Sequence, residues 1–190
     1  MVLVSKSFEI FPTPIIGLNV LQRKPLGDDR GYLERLYCLD ELQPLLGIRT
    51  IVQINHTLTA KRGTVRGMHF QHPPYAEVKL VSCMRGKVFD VAVDMRRDSP
   101  TFLEWHGEIL TADNHKTIVI PEGFAHGFQT FTDDCEMFYL HTAAFQPDAE
   151  GGLNAKDPKL SIQWPLPITE QSTRDLTHSL LTTDFVGVTL

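Results

Sequence analysis

Between residues 50 and 141 the chain alternates short runs of β-branched, aliphatic and aromatic residues with turn-forming ones. The runs are TIVQINHT (50–57), TVRGMHFQ (64–71), AEVKLVSC (76–83), KVFDVAVDM (87–95), TFLEWHGEIL (101–110), KTIVIP (116–121), AHGFQTF (125–131) and CEMFYLH (135–141). Arg85-Gly86, Asp98-Ser99-Pro100, Ala112-Asp113-Asn114 and Asp133-Asp134 punctuate them. Runs of this length and spacing predict an all-β sandwich or barrel. Alternation is clearest in 87–95, where Phe89, Val91, Val93 and Met95 share one face and Val88, Asp90, Ala92 and Asp94 the other. Helical signal is confined to LDELQPLL (39–46), with Asp40 as an acid near its start, and to a short turn or helix near 172–182. The tail from about 150 to 190 is rich in Pro, Gly, Asp and Thr and is expected to wrap the barrel of a single domain spanning 1–190.

Against this apolar pattern, ionisable side chains recur inside the runs. His69 lies in RGMHFQ, Lys79 in EVKLV, Asp90 in VFDVAV and Tyr139 in EMFYL, while His126 follows the turn PEGFAHGF. A lone strand histidine is usually a hydrogen-bonded structural group, and a lone buried tyrosine a core aromatic with its hydroxyl satisfied. Five such groups on consecutive strands are costly to desolvate unless paired or used, so together they mark a site in the barrel interior. Parity raises one difficulty: Arg66 and His69 are three apart and point to opposite faces of a regular strand. A bulge at Gly67 is the expected remedy.

Composition narrows the function classes. With 190 residues, 42% hydrophobic and 22% charged, the chain is an ordinary globular one, which excludes disordered, collagenous and membrane-spanning classes. A net charge of −5 provides no global field for nucleic acid, so any phosphate site is local. Cys38, Cys83 and Cys135 show no paired spacing, which points to a reducing compartment rather than a disulfide framework or zinc knuckle. The segment MVLVSKSFEI is too polar for a signal peptide and no run approaches 18 apolar residues, so a cytoplasmic protein without membrane partners is expected.

Pro121, Gly123 and His126 match the second short motif of the cupin superfamily, P-x-G-x-x-H, whose barrels are often metal-dependent. The first cupin motif needs two histidines one residue apart, on one strand face. Here His69 and His72 are three apart, so no bound metal is expected, and Asp90 becomes the expected partner of His126.

The segments GDDRGYLER (27–35), QINH (53–56), TVRGMHFQ, KLVSCMRGKVFDVAVDMRRDSPTF (79–102) and IPEGFAHGF (120–128) resemble the dTDP-4-dehydrorhamnose 3,5-epimerase family. The resemblance runs from about 20 to 185. It implies a dimeric, cofactor-free, metal-independent cupin-type jelly roll (a double-stranded β-helix) that acts on nucleotide-linked 4-keto-6-deoxyhexoses. It implies His69 as catalytic base, Asp175 of STRDL (172–176) as its dyad partner, Lys79 near the substrate C4 oxygen, Tyr139 as catalytic acid, and His126 with Asp90 as a second polar pair. It further implies that Arg30, Tyr32, Glu34, Gln53, Asn55 and Arg66 hold the nucleotide diphosphate and sugar, the first three, from the segment at about 20–36, across the dimer. Two departures stand out: Phe145 replaces an aromatic hydroxyl near the sugar, and the aromatic-Asn-Asp-Pro stretch reads Asn154-Ala155-Lys156-Asp157-Pro158.

The chemistry suits these residue types. Removing a proton beside a ketone leaves an enolate, so the site needs a base at the carbon, a cation at the oxygen and an acid on the far face. Imidazole titrates near neutrality, a carboxylate fixes its tautomer, and a single oxyanion donor is worth about 3–4 kcal/mol. The competing readings are a 3- or 5-monoepimerase on a related dTDP-, CDP- or GDP-sugar, which proton exchange at each centre distinguishes; a metal-dependent cupin oxygenase, which elemental analysis distinguishes; and a non-catalytic sugar-nucleotide binder, which needs no facing base and acid.

Overall fold

The computed structural model describes residues 2–190. Its strands are β1 (Leu3–Val4), β2 (Phe8–Pro12), β3 (Asn19–Arg23), β4 (Leu26–Asp28), β5 (Gly31–Leu33), β6 (Gln53–Thr59), β7 (Val65–Gln71), β8 (Lys79–Arg85), β9 (Lys87–Asp94), β10 (Trp105–Thr111), β11 (Lys116–Ile120), β12 (Phe124–Thr130), β13 (Cys135–His141) and β14 (Glu150–Gly152). Its α-helices are α1 (Leu39–Leu46) and α2 (Thr173–Thr177). One sheet runs β1-β2-β3-β11-β8-β13-β6 and the other β10-β9-β12-β7-β14, with β4–β5 a separate hairpin. The result is an all-β, cupin-type jelly roll. No described helix is long and apolar enough to cross a membrane.

Three apolar clusters hold it. The first fills one end of the barrel, where Val81 and Met137 of one sheet meet Val88, Ala92, Phe124 and Phe128 of the other. Truncating Phe128, 2% exposed, to Ala in such a packed layer costs about 3–5 kcal/mol. The second lies outside the five-stranded sheet, where Leu153, Leu160, Ile162, Trp164 and Val188 of the tail cover Val91, Val93 and Met95. The third packs Leu42 and Leu46, one turn apart on α1, against Leu80, Val119 and Leu140. Both faces of β9 are therefore buried, the inner one carrying Asp90 and the outer one the tail.

Each of the eight apolar runs overlaps a strand, and 39–46 is helical as expected, with Asp40 in its first turn. The short turn or helix expected near 172–182 is α2, which stops at Thr177. TFLEWHGEIL becomes a strand only from Trp105, since Asp94 accepts the Thr101 hydroxyl at 2.7 Å and holds 99–103 as a turn. Strands β1 to β5 carry no clean alternation, so the sequence pattern does not announce them.

Candidate active site

The barrel is hollow beside the first cluster, with Phe128 and Tyr139 at the boundary. A cavity of about 800 Å³ opens there, and its walls include His69, Lys79, His126, Tyr139, Asp175, Arg66, Gln53, Asn55 and Phe145. Nine of the thirteen residues singled out in the sequence thus meet in one place, and Asp90 lies directly behind His126.

The strand arithmetic explains how. His126 pairs with His69 and Phe128 with Arg66, so two steps along β12 oppose three along β7. This is the bulge that parity demanded, and Gly67 sits in it at φ +130°. Arg66 and His69 consequently both line the cavity. Across β9 and β12, Ala92 pairs with His126 and Asp90 with Phe128, which makes Asp90 and His126 diagonal neighbours on one face. His126 Nε2 lies 3.0 and 2.9 Å from the two Asp90 oxygens, and both side chains are buried. The pairing expected from the sequence is present. Asp90 engages His126 through Nε2, and among the described residues no three-ligand cluster includes His126.

Asp175 arrives from the far end of the chain. Ser172 caps α2 by accepting the Asp175 backbone N–H at 3.1 Å, an S-x-x-D arrangement that fixes the first turn. The Asp175 carboxylate then contacts His69 Nε2 at 2.8 Å and accepts the Gly67 N–H at 3.2 Å. Burial raises the affinity of this carboxyl for a proton, but the bonds from His69, Gly67 and Ser172 outweigh it and hold its pKa down at about 2. Arg174 adds a guanidinium nitrogen 3.1 Å from the same His69 nitrogen and is tied on its other side to Glu150 at 2.8 Å.

Lys79 is buried beside Glu77 at 3.3 Å and donates to the His69 carbonyl at 3.4 Å. Glu77 also receives His141 Nδ1 at 2.7 Å, and Asn55 Nδ2 lies 3.3 Å from His141 Nε2. Burial opposes ionisation of Glu77, yet His141 and Lys79 together keep it below the ordinary carboxylate range. Tyr139 stands between two imidazoles, its ring 6.1 Å from that of His126 and 6.0 Å from that of His141. Burial, then the charge of Asp90, push its phenol well above the usual range, so it carries its proton at neutral pH.

Glu77, His141 and Arg174 escaped the sequence reading. Glu77 and His141 stand two residues from Lys79 and Tyr139 respectively, so same-face spacing was the available signal. Gln53 accepts the Phe145 N–H at 2.9 Å. Arg30, Tyr32 and Glu34 are not brought to this cavity. Arg30 pairs with Asp28 at 2.6 Å on the β4–β5 hairpin. Glu34 is buried against Arg23 (3.1 Å) and His115 (2.7 Å) of its own chain.

The sequence profile of the dTDP-4-dehydrorhamnose 3,5-epimerase family matches residues 12–183. The dTDP-4-dehydrorhamnose 3,5-epimerase of Salmonella typhimurium is 40% identical over 174 residues, covering 90% of this chain and 94% of that protein. Among solved structures, the Bacillus anthracis dTDP-4-dehydrorhamnose 3,5-epimerase with TDP and PPi bound superposes with a TM-score of 0.88, at 38% identity and over 92% of this chain and 100% of that one. The Legionella pneumophila dTDP-6-deoxy-D-glucose-3,5-epimerase, solved in complex with dTDP-4-keto-L-rhamnose, gives 0.88 at 35% identity over 96% and 99%.

Proposed function

This chain belongs to the dTDP-4-dehydrorhamnose 3,5-epimerase family, and on that premise we propose how its own residues perform the reaction. It is an isomerase that inverts C3 and C5 of a dTDP-linked 4-keto-6-deoxyhexose. His69 takes the proton from the carbon beside the ketone. Asp175, ionised at any physiological pH, holds the imidazole tautomer and stabilises the imidazolium without taking the proton itself. Lys79 meets the negative charge that grows on the C4 oxygen. Tyr139 keeps its proton until the enolate draws it, and delivers it to the face opposite His69. The observation that carries this reading is the 2.8 Å His69–Asp175 couple in one cavity with a buried, protonated phenol.

Arg66, Gln53 and Asn55 lie along the cavity wall and suit the diphosphate and sugar, with Arg66 as the local cation in a chain of net charge −5. Arg30 and Tyr32 reach the nucleotide of a second copy in a homodimer, while Glu34 stays tied to Arg23 and His115 of its own chain. Two features support this: Leu26, Tyr32 and Leu33 of the β4–β5 hairpin are 68%, 63% and 65% exposed, and Ile54 and Leu58 are exposed on β6, the outer strand of its sheet. Residues 1–190 act as one domain, Met1 lying outside the described residues, and the tail from 150 to 190 closes the cavity by delivering Asp175. The free thiols of Cys38, Cys83 and Cys135 suit the cytoplasm.

Incubation with dTDP-4-keto-6-deoxyglucose in deuterated water, followed by proton NMR, tests the function. Deuterium is expected at both C3 and C5, with the CDP- and GDP-linked sugars exchanging more slowly. No exchange at either centre refutes the reading. Phe145 favours a second reading: an apolar ring stands where the resemblance implies a hydroxyl near the sugar, and a monoepimerase shows deuterium at one centre only.

A further inference from the structure

We propose that His69, Asp175 and His178 form a site for a divalent transition metal of the zinc class, and that its occupancy stops turnover. The inhibition rests on the reading of His69 as the base; the site itself does not. One ligand atom from each of the three residues lies within 4.8 Å of the other two. Two imidazoles and one carboxylate with an open fourth position are the donor set that zinc, cobalt and nickel take.

His178 is held facing the dyad. Its ring lies against the bare Cα of Gly152, where a Cβ would come within 2.2 Å of both Cε1 and Nε2. Gly152 is the register partner of His69 across β14 and β7, so this niche aims His178 at His69. The two rings stand 6.1 Å apart at 68°. Asn154 pins the His178 backbone by donating to its carbonyl at 3.1 Å. Within this niche, His178 Nε2 is shielded from solvent and has no hydrogen-bond partner among the described residues. A buried polar atom left unmatched is rare, and a metal bond satisfies it. The proposed reaction gives His178 no task.

Zinc bonds of roughly 2.0–2.1 Å place tetrahedral ligands about 3.4 Å apart, so separations that lie within 4.8 Å close by up to about 1.4 Å. The exposed segment around Thr177 and Ser179 leaves room for that shift. A metal on His69 Nε2 confines the ring proton to Nδ1, and the imidazole then has no lone pair left to accept a proton from carbon. Opposing the site is Arg174, with nitrogens 3.1 Å from His69 Nε2 and 3.8 Å from Asp175 Oδ1. A dication has to displace this half-exposed guanidinium toward Glu150, which lowers affinity and gives the proposal an unusual sign: removing the cation tightens metal binding.

Zinc and cobalt chlorides are titrated into the full-length protein. Equilibrium dialysis reads stoichiometry, the visible spectrum of bound cobalt reads tetrahedral coordination, and turnover is followed in parallel. One metal per chain is expected, with activity falling in proportion and returning on chelation. His178→Asn is expected to keep its metal-free turnover yet need about 100-fold more zinc, at the upper end of what even outer partners of a metal contribute. Arg174→Ala is expected to bind zinc more tightly. Inhibition of His178→Asn at the wild-type zinc concentration overturns the proposal. Binding that is lost in His178→Asn but never slows turnover overturns the inhibition, and with it the role of His69 as base, while the site stands.

Discussion

Replacing Gly67 by Ala tests whether the bulge in β7 builds the site. Gly67 has φ +130°, a region that costs a residue with a side chain about 1–3 kcal/mol. A Cβ there would sit 2.5 Å from Gly127 Cα and 2.8 Å from the His126 carbonyl oxygen. Both are backbone atoms of β12 and neither can rotate away, so overpacking adds about 1–3 kcal/mol. The sum, about 2–6 kcal/mol, is a large share of an ordinary domain's stability of about 5–15 kcal/mol. Relief by straightening β7 would send Arg66 and His69 to opposite faces. Even a shift of about 1 Å at the base is worth about 100-fold in rate. Urea unfolding and deuterium incorporation into saturating substrate measure the two effects. Gly127→Ala is the companion variant: it carries no left-handed penalty but brings a Cβ 2.7 Å from the Arg66 carbonyl oxygen, so the smaller loss of stability is expected. Gly67→Ala with a wild-type unfolding midpoint and exchange rate refutes the argument.

Lys79→Met is expected to abolish carbon-proton exchange while calorimetric binding of dTDP stays within about threefold; weakened binding with normal exchange makes Lys79 a phosphate ligand instead. Asp175→Asn is expected to lose about 2 kcal/mol of stability at pH 7, because the folded carboxyl titrates at about 2 against an ordinary 3.8. A depressed carboxyl stabilises above its unfolded pKa and ceases to do so as pH falls through the folded one. The unfolding midpoints of the wild type and of the Asp175→Asn variant should therefore converge between about pH 4 and 2, and a constant gap there contradicts the sign. Mixing inactive Arg30→Ala and His69→Asn chains is expected to restore activity, since each mixed dimer holds one intact composite site; no recovery places Arg30 in its own chain's site.

Much of this site was legible because the jelly roll obeys a period of two. Asp90 and His126 could be paired before any coordinates, since alternation placed Asp90 inward on a strand and the turn PEGFAH delivered His126 to another. The parity conflict between Arg66 and His69 led to Gly67 by simple counting. Glu77 and His141 obey the same rule, but each sits at or just before a strand end, where the run's alternation fades. Asp175 lies 106 residues from His69, and no local periodicity reports such a meeting; only the resemblance implied it. Strands β2 and β3 lie at a sheet margin, half covered, and their sequences FEIFP and NVLQR mix apolar and polar positions without clear alternation. The 99–103 turn hid inside an apolar run because its organiser, Asp94, lies outside that run.

The mechanism stands on His69 removing the proton from carbon and Tyr139 returning one from the other side. Single-turnover deuterium exchange at C3, followed by NMR with His69→Asn and Tyr139→Phe beside the wild type, reads both steps. His69→Asn is expected to slow exchange by more than about 100-fold, the low end for a general base, while Tyr139→Phe still exchanges the proton but forms no inverted product. Near-normal exchange in His69→Asn, or inverted product at the wild-type rate from Tyr139→Phe, contradicts it.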